Sequence, residues 1–493
     1  MLAAIAALSV AFIALFFYIA MRRMHFPLQL EWLEGGVLDT TVRVLHHQAI
    51  YVQPTYRFVP NIYTPLYFYL GAAALKLFGI SLATLRLFST LCTAGCLCLL
   101  ALQTRLIGRS WLAGLASAGF FAALYGSIDG WYDLARIDML FLLLTLIAIL
   151  LSYKGYAVLA ALTFVLAYQT KQAAAFIAVF VLLHEIEKPR RIILGLGTFF
   201  AGLLASIFYL DHQSHGWYDY YTLHLPAGHS LVPLELIAFF TRGLLNHVGL
   251  ALAVILLGIF STEWRPAHRR LAYFLFATTT GTFLSALSGR IHSGGSVNVA
   301  LPLYAWIAVL FGVAIAAVLR QLAEMTAQSM GANNAWLNLI VLTMGAMQLG
   351  ALVYPLDKLL PTRLATQEAQ AAFDTIARQP GDIYVVGNTI DLAPAGKQSF
   401  ANSVAVYDIV RGDHGPVAEA LKADLDAAMQ QHRFAAVVSP GALDRGFLYD
   451  GSPAQLGSAY NGKEETILSP AASAELEKII PPSIAPSEIH LAR

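Results

Sequence analysis

The sequence predicts an all-α polytopic membrane bundle of about eleven transmembrane helices followed by a small C-terminal α/β domain. Three observations predict it. Apolar residues make up 58% of the 493-residue chain and Asp, Glu, Lys and Arg only 12%, about half the ~25% charged share usual in soluble domains. The apolar residues gather in long blocks, such as 140–151, 192–210 and 244–260, and a run near twenty residues is what a hydrocarbon core of ~30 Å asks of a helix. From about Leu356 the long runs stop and charges and helix formers return.

The elements follow in chain order. Residues 1–20 lack a basic start and run directly into Met21-Arg22-Arg23, so they read as an uncleaved first helix and not as a signal peptide. A polar, aromatic stretch follows over 22–83; its short apolar piece, 63–78, carries Lys76 and is expected to lie in the interface without crossing. Further spans are expected over 84–107, 111–126, 137–152, 155–170, 172–186, 191–210, 236–260, 270–288, 299–319 and 335–355, the shorter ones tilted or buried. The chain thus divides into a membrane module, 1–355, and an accessory domain, 356–493. The accessory domain alternates helix (362–378), strand (382–386), helix (417–432) and strand (434–439). Gly387, Gly396 and Gly412 are too scattered for a nucleotide fingerprint.

Charge orients the bundle. With the 63–78 piece left uncrossed, Arg105, Arg109, Lys154, Lys188, Arg190, Arg191, Arg265, Arg269, Arg270 and Arg320 all fall on one side, which the positive-inside rule makes cytoplasmic. The N-terminus is then cytoplasmic, and the 22–83 loop, the 211–235 loop and the C-terminal domain are extracytoplasmic. Arg22, Arg23, Arg43, Arg57, Lys76 and Arg86 break the rule. Cations on the outer side need a use, such as binding a lipid phosphate; for Arg22 and Arg23 snorkelling to headgroups suffices. The net charge of +1 and the absence of a basic tract with interleaved aromatics set nucleic acid aside as a partner. Cys92, Cys96 and Cys98 share one apolar helix and read as small buried hydrophobes. The histidines show no spacing for structural zinc.

Chemistry gathers in the outer loops. The first reads Leu30-Glu31-Trp32-Leu33-Glu34-Gly35-Gly36, then Asp39. On a helix Glu31 and Glu34 would share a face, either as a desolvated base beside tryptophan or as solvated acids of an amphipathic segment. The second outer loop packs Asp129, Asp133, Arg136 and Asp138 together, as a ligand site or as internal ion pairs. Thr170-Lys171-Gln172 interrupts two apolar helices, and a lysine at membrane depth is costly without a partner. In 289–298, Arg290, His292 and Asn298 accompany glycines that allow close backbone approach, although a plain glycine turn would look the same.

An acidic site after the first helix, then Tyr63-Thr64-Pro65-Leu66-Tyr67 and Leu77-Phe78-Gly79, resembles the protein O-mannosyltransferases and lipid A aminoarabinose transferases of the GT-C class. The order of helices, first outer loop and C-terminal domain is similar across almost the whole chain. The resemblance implies a multi-pass glycosyltransferase of a bacterial inner membrane. It would move a sugar, with inversion, from a polyprenyl-phosphate donor to an extracytoplasmic glycan, lipid or protein acceptor. In that family an Asp-Glu pair opens the loop. Here Leu33 stands at the Asp position and Glu34 matches the Glu, so the implied base is Glu34, then Glu31, then Asp39.

The departing polyprenyl phosphate needs preorganised positive charge and no general acid, which Arg57, Arg136, Lys171 and Arg290 could supply. Lys171 resembles the lysine of a Thr-Lys element that meets lipid phosphate in the family. Tyr63, Tyr67, Asp133, Asp138, Gln172, His292 and Asn298 are the expected substrate contacts. No cofactor is firmly implied, although some relatives use a divalent cation at the acidic loop. The competing class is a transporter or lipid-linked-sugar flippase, for which internal repeats and broken helices near the midplane are the usual signs; no clear repeat is present.

Overall fold

Inside a bilayer a backbone must satisfy its own polar groups, so apolar blocks become helices. The computed structural model describes residues 1–260, 269–328, 335–385, 391–439, 464–466 and 488–491. Helices occupy each expected block: α1 (Leu2–Met24), α4 (Leu82–Gly108), α5 (Trp111–Ala123), α6 (Asp138–Tyr153), α7 (Ala157–Tyr168), α8 (Ala174–Leu183) and α9 (Pro189–Gln213), then the span Pro233–Gly258 and the helices Arg269–Ile291, Leu301–Gln328 and Ala335–Ala351. Between α1 and α4 lie α2 (Glu34–Leu45) and α3 (Leu66–Phe78).

Among the described residues, 6 helices are long and apolar enough to cross alone, or 7 if Ala335–Ala351 and Leu356–Arg378, bent by 49°, form one span. The expected count of about eleven crossings is thus met only in part. Helices α5 to α8 have 10 to 16 residues, roughly 15 to 24 Å of rise. Of these, α5 and α6 pack as short, largely buried pieces, while α7 and α8 bury one face and expose Leu159, Leu162, Leu166 and Phe176 on the other. At 13 residues, α3 is likewise too short to cross, as expected of the 63–78 piece.

The Leu301–Gln328 helix is the hub, with Trp306, Phe311, Ile315 and Val318 fully buried. It packs on α4, α5, the 246–260 helix and the 269–291 helix. Helix α9 is peripheral and presents Ile193, Leu204 and Phe208 outward, the apolar surface lipid would cover. Small residues let α5 sit deep in the bundle. A Cβ on Gly119 would lie 2.2 Å from Ser9 Cβ of α1, and one on Gly114 would lie 2.6 Å from the Ala101 carbonyl oxygen of α4. Gly119→Leu is therefore expected to force α1 from α5 and lower the thermal midpoint in detergent. Overpacking of this kind costs about 1–3 kcal/mol.

The loops sort to two ends. At one, Glu185 accepts from Arg191 at 2.8 Å and from Arg270 at 2.5 Å, and Arg320 donates to the Gly108 carbonyl. These belong to the cation-rich set; Arg265 lies outside the described residues. At the other end the 22–83 loop, the 126–137 turn, the 214–235 segment and the 289–300 segment meet the C-terminal domain.

The C-terminal domain carries helices Arg363–Arg378, Ser403–Gly412 and Pro416–Gln430 and strands β1 (Ile383–Val385), β2 (Ala436–Ser439), β3 (Glu464–Thr466) and β4 (Glu488–Leu491). The sheet order is β1-β2-β4-β3, with β1 and β2 parallel and the other pairs antiparallel. The β-α-β alternation agrees with the sequence; Val386 and Gly387 lie outside the described residues. The Ser403–Gly412 helix, β3 and β4 are additions. Ala365, Ala369, Ala372 and Ile376 form one apolar cluster with Phe26, Leu28, Leu30 and Trp131, and Tyr56 lies against Phe400 and Phe434. The first loop is therefore part of this domain's core.

Candidate active site

Two arginines divide the two loop carboxylates between them. Helix α2 starts at Glu34, so Glu31 precedes it in a turn closed by the Glu34 N–H donating to the Glu31 carbonyl at 3.2 Å. The Gln29 side chain caps the start, accepting from the Gly35 N–H at 2.9 Å. The two acids consequently do not share one helical face, as the spacing suggested.

Glu34 is saturated. Arg86 grips it with Nε at 2.9 Å and Nη2 at 2.7 Å, and the backbone N–H groups of Leu30 and Ala135 donate to it at 2.6 and 2.7 Å. Both side chains are at most 1% exposed. Arg86 spends its remaining donors on the carbonyls of Arg23, Phe26 and Leu28. Burial works against ionisation of Glu34, yet Arg86 and the two amides outweigh it and hold the carboxyl below its ordinary pKa. A carboxylate so held is fitted to clamp the loop, and its lowered pKa weakens it as a base.

Glu31 is held differently. Arg136 Nη1 reaches both its oxygens at 2.8 and 2.7 Å, and the Leu33 N–H donates at 3.1 Å. Burial pushes the carboxyl up to about 7 although Arg136 pulls it down, so Glu31 is poised near neutral pH. Arg136 also donates to the Tyr63 hydroxyl at 3.0 Å, lies 3.6 Å from Asp138 and stacks over Trp131. Lys171 Nζ donates to Asp138 at 2.7 Å, and Asn298 donates to the same oxygen at 2.9 Å. Gln172 donates to the carbonyls of Ile62 and Thr222, pinning the loop beside this cluster.

The structure thus brings together Glu31, Tyr63, Arg136, Asp138, Lys171 and Asn298, with Gln172 as support. Other expected members stand apart. Arg57 is exposed and lies on Tyr56. Arg290 pairs with Glu235 at 2.8 Å and donates to the Gly295 carbonyl, while His292 donates to the Ser288 carbonyl, so both stiffen their own turn. Tyr67 is buried against Ser89 between helices. Asp133 accepts from the Tyr125 hydroxyl and lies 3.4 Å from Arg23, so Arg23 is buried and does not snorkel. Asp39 is buried farther along α2. Among the described residues no group of three or more His, Cys, Asp or Glu is arranged for a metal. Glu31 and Glu34 each already face a guanidinium, so the acidic loop does not fit a divalent cation.

Two residues escaped the sequence. Arg86 was visible only as one of several outer cations. Asp408, from the Ser403–Gly412 helix, is 6% exposed and pairs with Arg411. Burial lifts its carboxyl to about 6, against the pull of Arg411 and of Arg136. Its charge also helps burial push the Tyr63 hydroxyl up to about 12. The C-terminal domain therefore roofs the cluster, and Arg411 fills the space beside Gly294 where a Cβ would stand.

No protein-family model and no curated protein matches the chain. Solved structures do. The aminoarabinose transferase ArnT from Cupriavidus metallidurans bound to undecaprenyl phosphate aligns with a TM-score of 0.60 at 12% identity, covering 98% of this chain and 97% of that one. The apo form of the same protein gives 0.57 at 12% identity, with 98% of each chain covered. The archaeal oligosaccharyltransferase AglB from Archaeoglobus fulgidus, in complex with an inhibitory peptide and a dolichol-phosphate, gives 0.47 at 14% identity over 92% of this chain and 72% of that one. The chain is a multi-pass membrane protein with the GT-C fold. In its described residues the helical bundle and the C-terminal domain are similar in fold to ArnT.

Proposed function

We propose that this protein is a membrane glycosyltransferase that moves a sugar from a polyprenyl-phosphate donor to a hydroxyl acceptor at the loop face, with Glu31 as base. The observation that carries this is the Glu31–Arg136–Asp138–Lys171 cluster, in which a near-neutral carboxylate sits beside two cations. The ArnT neighbour was solved with undecaprenyl phosphate, a ligand of the class the donor would need.

The chemistry follows from the positions. Glu31 takes the proton of the acceptor hydroxyl as its oxygen forms a bond to the anomeric carbon. The bond from that carbon to the phosphate oxygen breaks, and the phosphate leaves with the electron pair, so the configuration inverts. Arg136 and Lys171 meet the charge gathering on the phosphate in a water-poor setting, where fixed cations act most strongly. Arg136 also has a second role. Its grip pulls the Glu31 carboxyl down against burial; a donor phosphate that draws the guanidinium away makes Glu31 a stronger base when the leaving group is in place. Asp138, itself held by Asn298, keeps Lys171 in position. Tyr63 and Asp408, beside Arg136, would contact the sugar or the acceptor.

The loop face is assigned to the outside of a bacterial inner membrane because the cation-rich loops lie at the opposite end, which puts the N-terminus in the cytoplasm. Residues 356–493 then form the extracytoplasmic accessory domain. The acceptor is a glycan, lipid or protein hydroxyl. The alternative of a flippase without transfer gains nothing from a base tuned to neutrality.

The test is transfer by the purified chain from a synthetic polyprenyl-phosphate sugar carrying a radiolabel. Lys171→Met is expected to keep the fold, since Asp138 retains Arg136 and Asn298, and to lower turnover by about 10²–10³, the usual effect of removing one transition-state charge contact. Transfer at the wild-type rate would contradict the phosphate role of Lys171.

A further inference from the structure

A cavity of about 420 Å³ lies away from the cluster, bounded by Met24 at the end of α1, Phe26 just after it, Phe78 at the end of α3, Leu87 of α4, Phe373 of the C-terminal domain and Asp391. Its volume is of the order that holds a small ligand, ~300–1,000 Å³. The 13 residues of α3, a rise of roughly 20 Å, separate Phe78 from the Tyr63 end, so this cavity is distinct from the proposed active site. Its depth is set by its walls: Met24 ends one candidate span and Leu82 begins another, which places it at the boundary between hydrocarbon and water. Leu77 and Phe78 beside it are 76% and 68% exposed, as expected where lipid covers them.

Asp391 is the unusual member. It is 5% exposed; its Oδ1 accepts from the Ala393 N–H at 2.8 Å, while its Oδ2 is buried and has no partner at hydrogen-bond geometry among the described residues, although the Ser399 hydroxyl lies near the carboxyl. An orphaned buried carboxyl oxygen is costly, and a donor entering the cavity removes that cost. The other walls are largely apolar, while His25 and the backbone N–H groups of Leu82 and Ala83, in the first turn of α4 that Ser81 caps, line the same space and offer donors for a neighbouring anion. A ligand with an ammonium, an adjoining phosphate and an apolar body matches all three features. We propose that this cavity binds one zwitterionic aminophospholipid, its ammonium on Asp391 and its phosphate toward His25 and the first turn of α4.

The test is native mass spectrometry of the full chain in micelles containing equal amounts of phosphatidylethanolamine and phosphatidylglycerol. The wild type is expected to retain one phosphatidylethanolamine with a preference of about tenfold or more, the weight of one charge-assisted hydrogen bond. Asp391→Asn is expected to bring the preference close to one. Ala83→Trp, which fills the cavity and leaves the carboxylate in place, is expected to remove the retained lipid. Equal retention of the two lipids by the wild type, or an unchanged preference in either variant, overturns the proposal. Displacement of the lipid by millimolar free ethanolamine also overturns it, since the site would then take a soluble amine. None of these readouts requires transferase activity.

Discussion

Arg86→Met is expected to destabilise the folded protein by about 3–5 kcal/mol, the cost of leaving one member of a buried ion pair alone. The partner left behind is Glu34, buried and held by Arg86 at 2.7 Å. The same change orphans the carbonyls of Arg23, Phe26 and Leu28, which Arg86 collects at 3.2, 2.7 and 2.8 Å. Those residues lead from the end of α1 to the start of α2, so the loop that carries Glu31 loses its anchor as well. The measurement is the thermal midpoint in detergent. Glu34→Gln alone should also lower it, by leaving the Arg86 charge unpaired. The double change Arg86→Met with Glu34→Gln should recover part of the loss, because it removes the stranded charge. Midpoints equal to wild type in both single variants would show that the clamp does not hold the loop.

Glu31→Gln is expected to leave the fold intact and to lower transfer by about 10²–10⁴, the usual contribution of a positioned general base. Gln is isosteric, and Arg136 keeps Asp138 and the Tyr63 hydroxyl as partners. The loss should therefore appear in turnover while the thermal midpoint changes little. This is the reverse of the Glu34→Gln pattern, and the pair of variants separates a reacting carboxylate from a structural one. Full transfer by Glu31→Gln would remove the proposed mechanism, whatever the fate of Glu34.

The contrast between these two acids also shows where sequence reasoning stops. The membrane helices were legible because a long apolar run has one stable solution in lipid, and blocks such as 191–210 and 335–355 return as Pro189–Gln213 and Ala335–Ala351. Lengths were less legible. The 111–126 block ends at Ala123 because residues 126–128 turn into a short 3-10 helix. In the C-terminal domain β1 and β2 were readable from their local apolar pattern, whereas β3 and β4 depend on pairing across a long separation. Glu31 and Glu34 are three residues apart and chemically alike. What separates them is that Glu34 meets an arginine 52 positions later and Glu31 one 105 positions later. Only the packing of α4 and of the 126–137 turn against the loop decides which arginine holds each acid. Lys171 was legible as a costly charge at membrane depth, and Arg136 and Asp138 as members of a charge-dense outer loop, a ligand site or an ion pair; Asp408 was not, because its local sequence is that of an ordinary amphipathic helix.

The most direct test is the pH dependence of kcat/KM for sugar transfer in wild type, Asp408→Asn and Glu31→Gln. Burial raises the Glu31 carboxyl to about 7, and only its ionised form accepts a proton. The rate should therefore fall as pH drops through about 7 and level off above it. That limb should persist in Asp408→Asn and vanish in Glu31→Gln, leaving a slow, flat residual rate. A limb near pH 7 that survives in Glu31→Gln, or a wild-type rate that stays level down to pH 5, would contradict Glu31 as the base.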